Sequence, residues 1–310
     1  MALRFNSSTF RIPFEGVFMF IDGKTRLLGV IGDPVHHSLS PAMHNLACAE
    51  LGLNYCYLPM HVVPENLRKA VEGMRAIGMV GFNATIPHKE ALVSMMDELD
   101  PVAAMIGAVN TVAISSEGRL WGYNTDVYGF VTALREAHVV SLQDASVVVL
   151  GAGGAARGVV AGLLELGVGR IVLVNRTESR AVALAAASGS GLVEAVSWSV
   201  LSEVLEGCRL LVNTTSLGLS GVESGVLDLS PLSDGAFVYD IVYSPPETPL
   251  MAAARARGLR AENGLGMLIH QGARAFEIWT GRQMPVARVE VLLRGLVGGS
   301  GSGSRSSSSR

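Results

Sequence analysis

Lysine is scarce in this chain: of 24 basic residues 21 are Arg, and the lysines are Lys24, Lys69 and Lys89. Lys89 closes a run of polar groups, Asn83-Ala-Thr85-Ile-Pro87-His-Lys89, that follows an apolar stretch. Arginine keeps its proton at every accessible pH, whereas a lysine in a partly desolvated site can be tuned toward neutrality. A position that must transfer protons therefore excludes the arginine that the chain otherwise prefers. Asp126 is the candidate partner, at the end of Gly122-Tyr-Asn124-Thr125-Asp126. A nearby carboxylate favours the charged lysine, so the pair can share and pass a proton. The plainer reading of Lys89 is a surface lysine at a helix start, as Lys69 reads, and His88 is assigned no role. Asn110, in Gly107-Ala-Val-Asn110-Thr111, places an amide near a glycine; taken singly, such clusters are more often turns than sites.

Two further groups suit anions. Ser38-Leu-Ser40-Pro41 precedes a helical pattern; hydroxyls two apart in an extended segment point the same way, and a helix N-terminus attracts a small carboxylate. The alternative is that Ser40 is only an N-cap, with Pro41 at the first helical position. Farther on, Ser146-Val-Val-Val-Leu150 runs into Gly151-Ala152-Gly153-Gly154-Ala155-Ala156, the G-x-G-x-x-G/A arrangement with Ala156 third. Gly151 permits a tight turn, Gly153 lets backbone approach a pyrophosphate, and the helix beyond offers unpaired N–H groups. A strand before, a helix after and a second strand about 20 residues on make the context that of a dinucleotide site. That second strand ends Val174-Asn175-Arg176-Thr177, with Arg180 one helical turn on. An NAD site carries Asp or Glu there; two guanidinium groups and a hydroxyl suit the 2′-phosphate of NADP instead. The bland reading has Thr177 capping a helix and both arginines facing solvent.

Alternating strand and helix patterns must position these groups. Strands are expected at 26–31, 54–61, 79–85, 146–150, 170–175, 210–213 and 237–241. Helices are expected from 41, over 64–77, from about 88, and over 155–166. Such alternation implies parallel sheets with helices on their faces, an α/β fold. Organised sequence begins near Lys24, Met19 is an alternative start, and residues 1–24 show no targeting segment. The Gly/Ser/Arg stretch 297–310 reads as a flexible tail.

The 310 residues suggest about two domains, at roughly 150 residues each. With 49% hydrophobic and 16% charged residues, the chain is not disordered in bulk. A membrane span is not expected: the densest apolar stretch, 147–174, still carries Arg157, Glu165 and Arg170. A net charge of −3 without a basic block argues against nucleic acid as partner. Cys48, Cys56 and Cys208 are too scattered for a disulfide framework or zinc knuckle, and no metal cluster is expected. The expectation is a soluble, cytoplasmic α/β protein with a large core.

Together, SLSPAMHN (38–45), NATIPHK (83–89), GAVNT (107–111), GYNTD (122–126), GAGGAAR (151–157), NRTESR (175–180), NTTSLG (213–218) and NGLGMLIHQG (263–272) resemble the shikimate dehydrogenase family, in family order across 24–296. The resemblance implies NADP-dependent, reversible reduction of 3-dehydroshikimate to shikimate, a step toward chorismate and the aromatic amino acids. It implies a two-domain fold: an N-terminal α/β substrate domain, 1–125, rejoined by helices at 263–296, and a Rossmann-type, doubly wound NADP domain at 126–262. It makes Lys89 and Asp126 the acid/base dyad, with Ser38 and Ser40 on the substrate carboxylate and Thr85, Asn110, Tyr243 and Gln271 joining the dyad on the ring hydroxyls. On the cofactor side it gives Gly151, Ala152, Gly153, Gly154 and Ala155 to the pyrophosphate, and Asn175, Arg176, Thr177 and Arg180 to the adenosine phosphate. Ile241 falls near the nicotinamide, with Gly264 and Met267 on the opposite wall. Ala84 and Thr214 depart from the common valine and alanine without removing a needed polar group. The expected assembly is a monomer or homodimer. The alternatives are quinate/shikimate dehydrogenases, which often accept NAD, a non-catalytic ligand-binding regulator of the same fold, and another Rossmann dehydrogenase. The last has no reason to carry SLS, NATIPHK and GYNTD together.

Overall fold

The computed structural model describes residues 11–14, 17–139, 142–215 and 227–299. An antiparallel pair comes first, β1 (Arg11–Phe14) and β2 (Val17–Phe20). Regular structure therefore begins ahead of Lys24, with Met19 inside β2.

The first sheet is built from β3 (Arg26–Gly32), α1 (Ser40–Glu50), β4 (Tyr55–His61), α2 (Leu67–Ala76), β5 (Gly81–Ala84), β6 (Glu98–Leu99), α3 (Pro101–Ile106), β7 (Thr111–Ile114) and β8 (Leu120–Tyr123). Its strand order is β4-β3-β5-β7-β8-β6. The sheet is mixed rather than parallel: β7 runs antiparallel to both β5 and β8. Only the turn at 115–119 joins β7 to β8, and a parallel pair needs a far longer crossover. The helix expected from 88 is also absent. Val109 N–H takes the Lys89 carbonyl, and His88 Nε2 is tied to the Val62 carbonyl at 2.7 Å. That backbone is drawn away from an i→i+4 ladder, and Lys89 projects from an irregular loop ahead of a short 3₁₀ turn at Val93–Met95.

α4 (Asp126–Glu136) leads to the second sheet: β9 (Ser146–Leu150), α5 (Gly154–Glu165), β10 (Arg170–Val174), α6 (Glu178–Ala187), β11 (Val193–Val196), α7 (Leu201–Leu205), β12 (Leu210–Asn213), β13 (Phe237–Asp240), α8 (Pro249–Ala256) and β14 (Arg260–Asn263). Its order is β11-β10-β9-β12-β13-β14 and every pairing is parallel. Both faces are covered, so the strands read as unbroken apolar runs. Val147 and Val149 enter one core; Val148 and Leu150 enter the core on the other face. Strand order reverses between β9 and β12, and the crevice beyond the carboxyl ends of such strands is where ligands bind.

α9 (Leu265–Thr280) and α10 (Val286–Gly299) return to the first sheet. Ile269, Phe276, Val289 and Leu293 share a core with Leu28, Val30 and Tyr57, and Trp279 Nε1 donates to the Val112 carbonyl at 2.9 Å. α10 continues through 297–299, expected as the start of the tail, with Val297 buried; 300–310 lie outside the described residues. α4 lies between the two sheets and is approached very closely. A Cβ added at Gly129 would stand 2.7 Å from the Met267 carbonyl oxygen and 2.8 Å from Gln271 Cβ. One added at Gly158 of α5 would stand 3.0 Å from Asp126 Cβ.

Candidate active site

Lys89 and Asp126 meet where the sheets adjoin. Nζ donates to Asp126 Oδ2 at 2.6 Å, and the side chains are only 14% and 6% exposed. The lysine comes from the loop after β5; the carboxylate opens α4, where the helix dipole favours negative charge. Asp126 Oδ1 accepts from Asn110 Nδ2 at 2.8 Å, and its own backbone N–H is held by Asn124 Oδ1 at 3.0 Å. The lysine stem rests on the glycine turn: a Cβ at Gly154 would lie 3.6 Å from Lys89 Cδ. The dyad therefore faces the start of α5.

The residues expected around the substrate fall into two connected groups. Asn110 and Gln271 sit on the dyad side: Gln271 Oε1 lies 3.4 Å from both Asn110 Nδ2 and Thr125 Oγ1. Asn110 is buried, and its amide is engaged with Asp126 and Thr125. The second group is the serine turn. α1 begins at Ser40 itself, Leu39 is the N-cap, and no side chain caps the helix. The cap-only alternative for Ser40 is thereby corrected: Ser40 lies inside α1, and Ser38 Oγ accepts its N–H at 3.2 Å. Tyr243 reaches this turn from the second sheet; burial raises its phenol pKa, and a bond to the Leu39 backbone opposes the rise. Thr85 stands at the end of β5, its methyl packed where a Gly32 side chain would be.

The residues present suit a dinucleotide phosphate. Gly151 has φ +109°, and a Cβ there would collide with Thr214 Oγ1. Gly153, at the N-cap of α5, has open space where a Cβ would stand, so backbone alone faces an incoming phosphate. Thr177 is the N-cap of α6, and among the described residues its side chain makes no cap bond. Arg176 and Arg180 are exposed, and neither is ion-paired among the described residues. Asn175 Nδ2 donates to the Thr177 carbonyl at 2.7 Å and shapes the turn. Ile241 and Gly264 come together, since a Cβ at Gly264 would collide with the Ile241 carbonyl oxygen. Met267 is buried in the second-sheet core. Positions 216–218 of NTTSLG lie outside the described residues.

Sequence reasoning passed over four participants. Asn83, Thr111 and Thr125 stood inside quoted motifs without a role, and each is buried and bonded behind the dyad. Arg157 bridges the two halves, donating to the Ile106 carbonyl at 3.3 Å and lying 3.5 Å from Glu90. For the first three the signal that could have found them was a polar residue in or beside an apolar strand; Arg157 lies in α5 and carries no such mark.

Residues 30–112 match the shikimate dehydrogenase substrate binding domain, 133–241 match shikimate / quinate 5-dehydrogenase, and 264–293 match the shikimate 5′-dehydrogenase C-terminal domain. A shikimate dehydrogenase (NADP(+)) of Magnetococcus marinus is 50% identical over 278 residues, 88% of this chain and 97% of that protein. Among solved structures, a shikimate 5-dehydrogenase from Thermus thermophilus in complex with NADP(H) and shikimate is 39% identical. Its TM-score is 0.79, over 87% of this chain and 99% of that one. A quinate dehydrogenase from Corynebacterium glutamicum in complex with NAD is 33% identical with a TM-score of 0.81, over 87% and 99%. At 50% identity across nearly the whole length of a curated relative, the chain belongs to the shikimate dehydrogenase (NADP+) family.

Proposed function

We propose that the chain carries out the reversible, NADP-dependent reduction of 3-dehydroshikimate to shikimate, toward chorismate and the aromatic amino acids, with Lys89 and Asp126 handling the proton. One observation carries the reading: a largely shielded lysine and a buried carboxylate 2.6 Å apart, with the lysine stem against the glycine turn of a dinucleotide fold. NADPH supplies the hydride for the ketone carbon, and the protein must position two rings and provide one proton. Gly151 to Ala155 would hold the pyrophosphate, Asn175, Arg176, Thr177 and Arg180 the adenosine phosphate, and Ile241, Gly264 and Met267 would lie on the nicotinamide side.

Lys89 gives its proton to the carbonyl oxygen as negative charge gathers there, and its amine takes the hydroxyl proton in the reverse direction. Asp126, fixed by the Asn110 amide, keeps the ammonium aimed and stabilises its charge. Ser38 and Ser40 receive the ring carboxylate, beside Tyr243. Thr85, Asn110 and Gln271 orient the hydroxyls. In this reading the substrate lies between 1–125, with 263–296, and the nucleotide unit at 126–262. The protein works in the cytoplasm as a monomer or homodimer; among the described residues no helix is long and apolar enough to cross a membrane.

Two arginines and no carboxylate at the end of β10 favour NADP over NAD. The test is initial rates with shikimate or quinate, each with NADP⁺ or NAD⁺, followed by absorbance of reduced cofactor. Fast reduction only with shikimate and NADP⁺ is expected. Comparable rates with quinate or NAD⁺ would move the chain to the quinate-type group, and binding without turnover would make it a regulator.

A further inference from the structure

Tyr57, on β4, belongs to none of the motifs and reads as core. It is fully buried, and its ring stacks on that of His44 with centroids 4.3 Å apart and planes at 10°. Its hydroxyl donates to Asn83 Oδ1 at 2.7 Å. The orientation of the Asn83 amide is fixed from its other end. Its Nδ2 lies 3.1 Å from the Asn110 carbonyl oxygen, which can only accept, and 2.9 Å from Thr111 Oγ1. With its oxygen accepting from Asn83, Thr111 directs its proton to Asn110 Oδ1 at 3.0 Å. That same oxygen takes the Thr125 N–H at 2.8 Å, so the Asn110 amino group must face Asp126 Oδ1, at 2.8 Å. Each donor leads to the next acceptor, from the phenol to the carboxylate, and all five residues are buried. Tyr57 is also fixed to α1, which opens at Ser40: His44 stacks on its ring, and Asn45 bonds its backbone, Nδ2 donating to the Tyr57 carbonyl at 2.9 Å and Oδ1 accepting its N–H at 2.8 Å.

We propose that Tyr57 is a positioning residue that ties α1, the helix that opens at Ser40, to the support of the dyad. The inference rests on the functional reading above, in which Ser40 holds one end of the substrate and Asp126 with Lys89 works at the other. Tyr57 touches no substrate. It sets the separation between the anchor and the acid, and small misplacements at that distance lower rate steeply. The His44 stack keeps the phenol from swinging, and among the described residues His44 itself has no hydrogen-bond partner with which to compete for it.

Tyr57→Phe keeps the stack and deletes only the hydroxyl. It is compared with Asn83→Ala, the double variant and wild type for kcat and KM with shikimate and NADP⁺, alongside melting temperature. For Tyr57→Phe, kcat/KM for shikimate should fall about tenfold, the scale of one buried hydrogen bond, while KM for NADP⁺ stays within about twofold. The double variant should lose less than the product of the single losses, because both substitutions cut the same chain. If either of these variants does not fold, Thr111→Val interrupts the chain farther along and should show the same split between shikimate and NADP⁺. A wild-type rate in Tyr57→Phe, or losses that multiply fully in the double variant, would overturn the inference. A wild type inactive with shikimate and NADP⁺ would instead sink the functional reading, and this proposal with it; the wild-type rate tells the two failures apart.

Discussion

Lys89→Met would keep a stem of similar length against Gly154 and delete the ammonium that meets Asp126. Two separable losses follow. The chemical one is the proton donor itself, worth about 10²–10⁴ in rate for a positioned acid or base. The structural one is a carboxylate, 6% exposed, stripped of its counter-ion. Breaking a buried pair costs about 3–5 kcal/mol when the surviving charge is left uncompensated. Asp126 is not left bare: Asn110 Nδ2 still bonds it at 2.8 Å and it remains in the first turn of α4. The cost should therefore drop to about 1–3 kcal/mol, the penalty of one lost partner. At about 2–4 °C per kcal/mol for a chain of this size, the melting temperature should fall by roughly 2–12 °C. Adding Asp126→Asn removes the stranded charge, so the double variant should recover most of the melting temperature and none of the rate. Lys89→Arg keeps the charge but should also be inactive, since a guanidinium does not give up its proton. Stopped-flow rates with NADPH and 3-dehydroshikimate, thermal melts, and fluorescence titration of NADPH would separate the terms, with NADPH affinity expected to be nearly unchanged. A kcat in Lys89→Met within tenfold of wild type, or activity returning in the double variant together with stability, would refute the assignment.

Arg176→Asp should raise KM for NADP⁺ by about 10–100-fold, the worth of one charge-assisted hydrogen bond plus the repulsion introduced, and leave NAD⁺ kinetics nearly untouched; equal losses with both cofactors would contradict phosphate recognition. His44 should set part of the acid sensitivity. Burial holds its pKa down at about 3 against 6.5 unfolded, so below pH 6.5 the unfolded chain takes up a proton that the folded one refuses. Its share of stability is complete above pH 6.5 and is lost as the pH falls toward 3. At about pH 4.5 that loss reaches about 2–3 kcal/mol. Denaturant midpoints at about pH 7 and 4.5 should differ less in His44→Phe than in wild type, and parallel shifts would show that the imidazole plays no part.

How legible the molecule was in its sequence depended on which forces were local. The second sheet is written in runs such as Ser146–Leu150, where every face is covered and each position can be apolar; the run and the observed strand coincide. β7 and β8 were not visible, being four residues each and joined by a short turn that carries little pattern. The loop around Lys89 was misread as helical because nothing near it in sequence announces that Val109 will take its carbonyl. Similarly, the dyad residues were legible by type, lysine among arginines and aspartate in a polar cluster, while their support was not. Tyr57 lies 26 residues from Asn83 along the chain, and only the pairing of β4, β3 and β5 brings the two together. A tyrosine within an apolar strand carries no mark of what its hydroxyl will meet.

The bare backbone surfaces around α4 set a trap for protein engineers. Gly129 and Gly158 sit inside helices, where exchanging glycine for alanine is a routine route to heat resistance, worth about 1 kcal/mol in helix propensity. At these two positions the added methyl would drive a wedge between α4 and α9, or between α5 and the root of Asp126. A stabilisation campaign guided by propensity alone would rank both exchanges highly. Its product would carry every residue named in the active site and hold them in the wrong register.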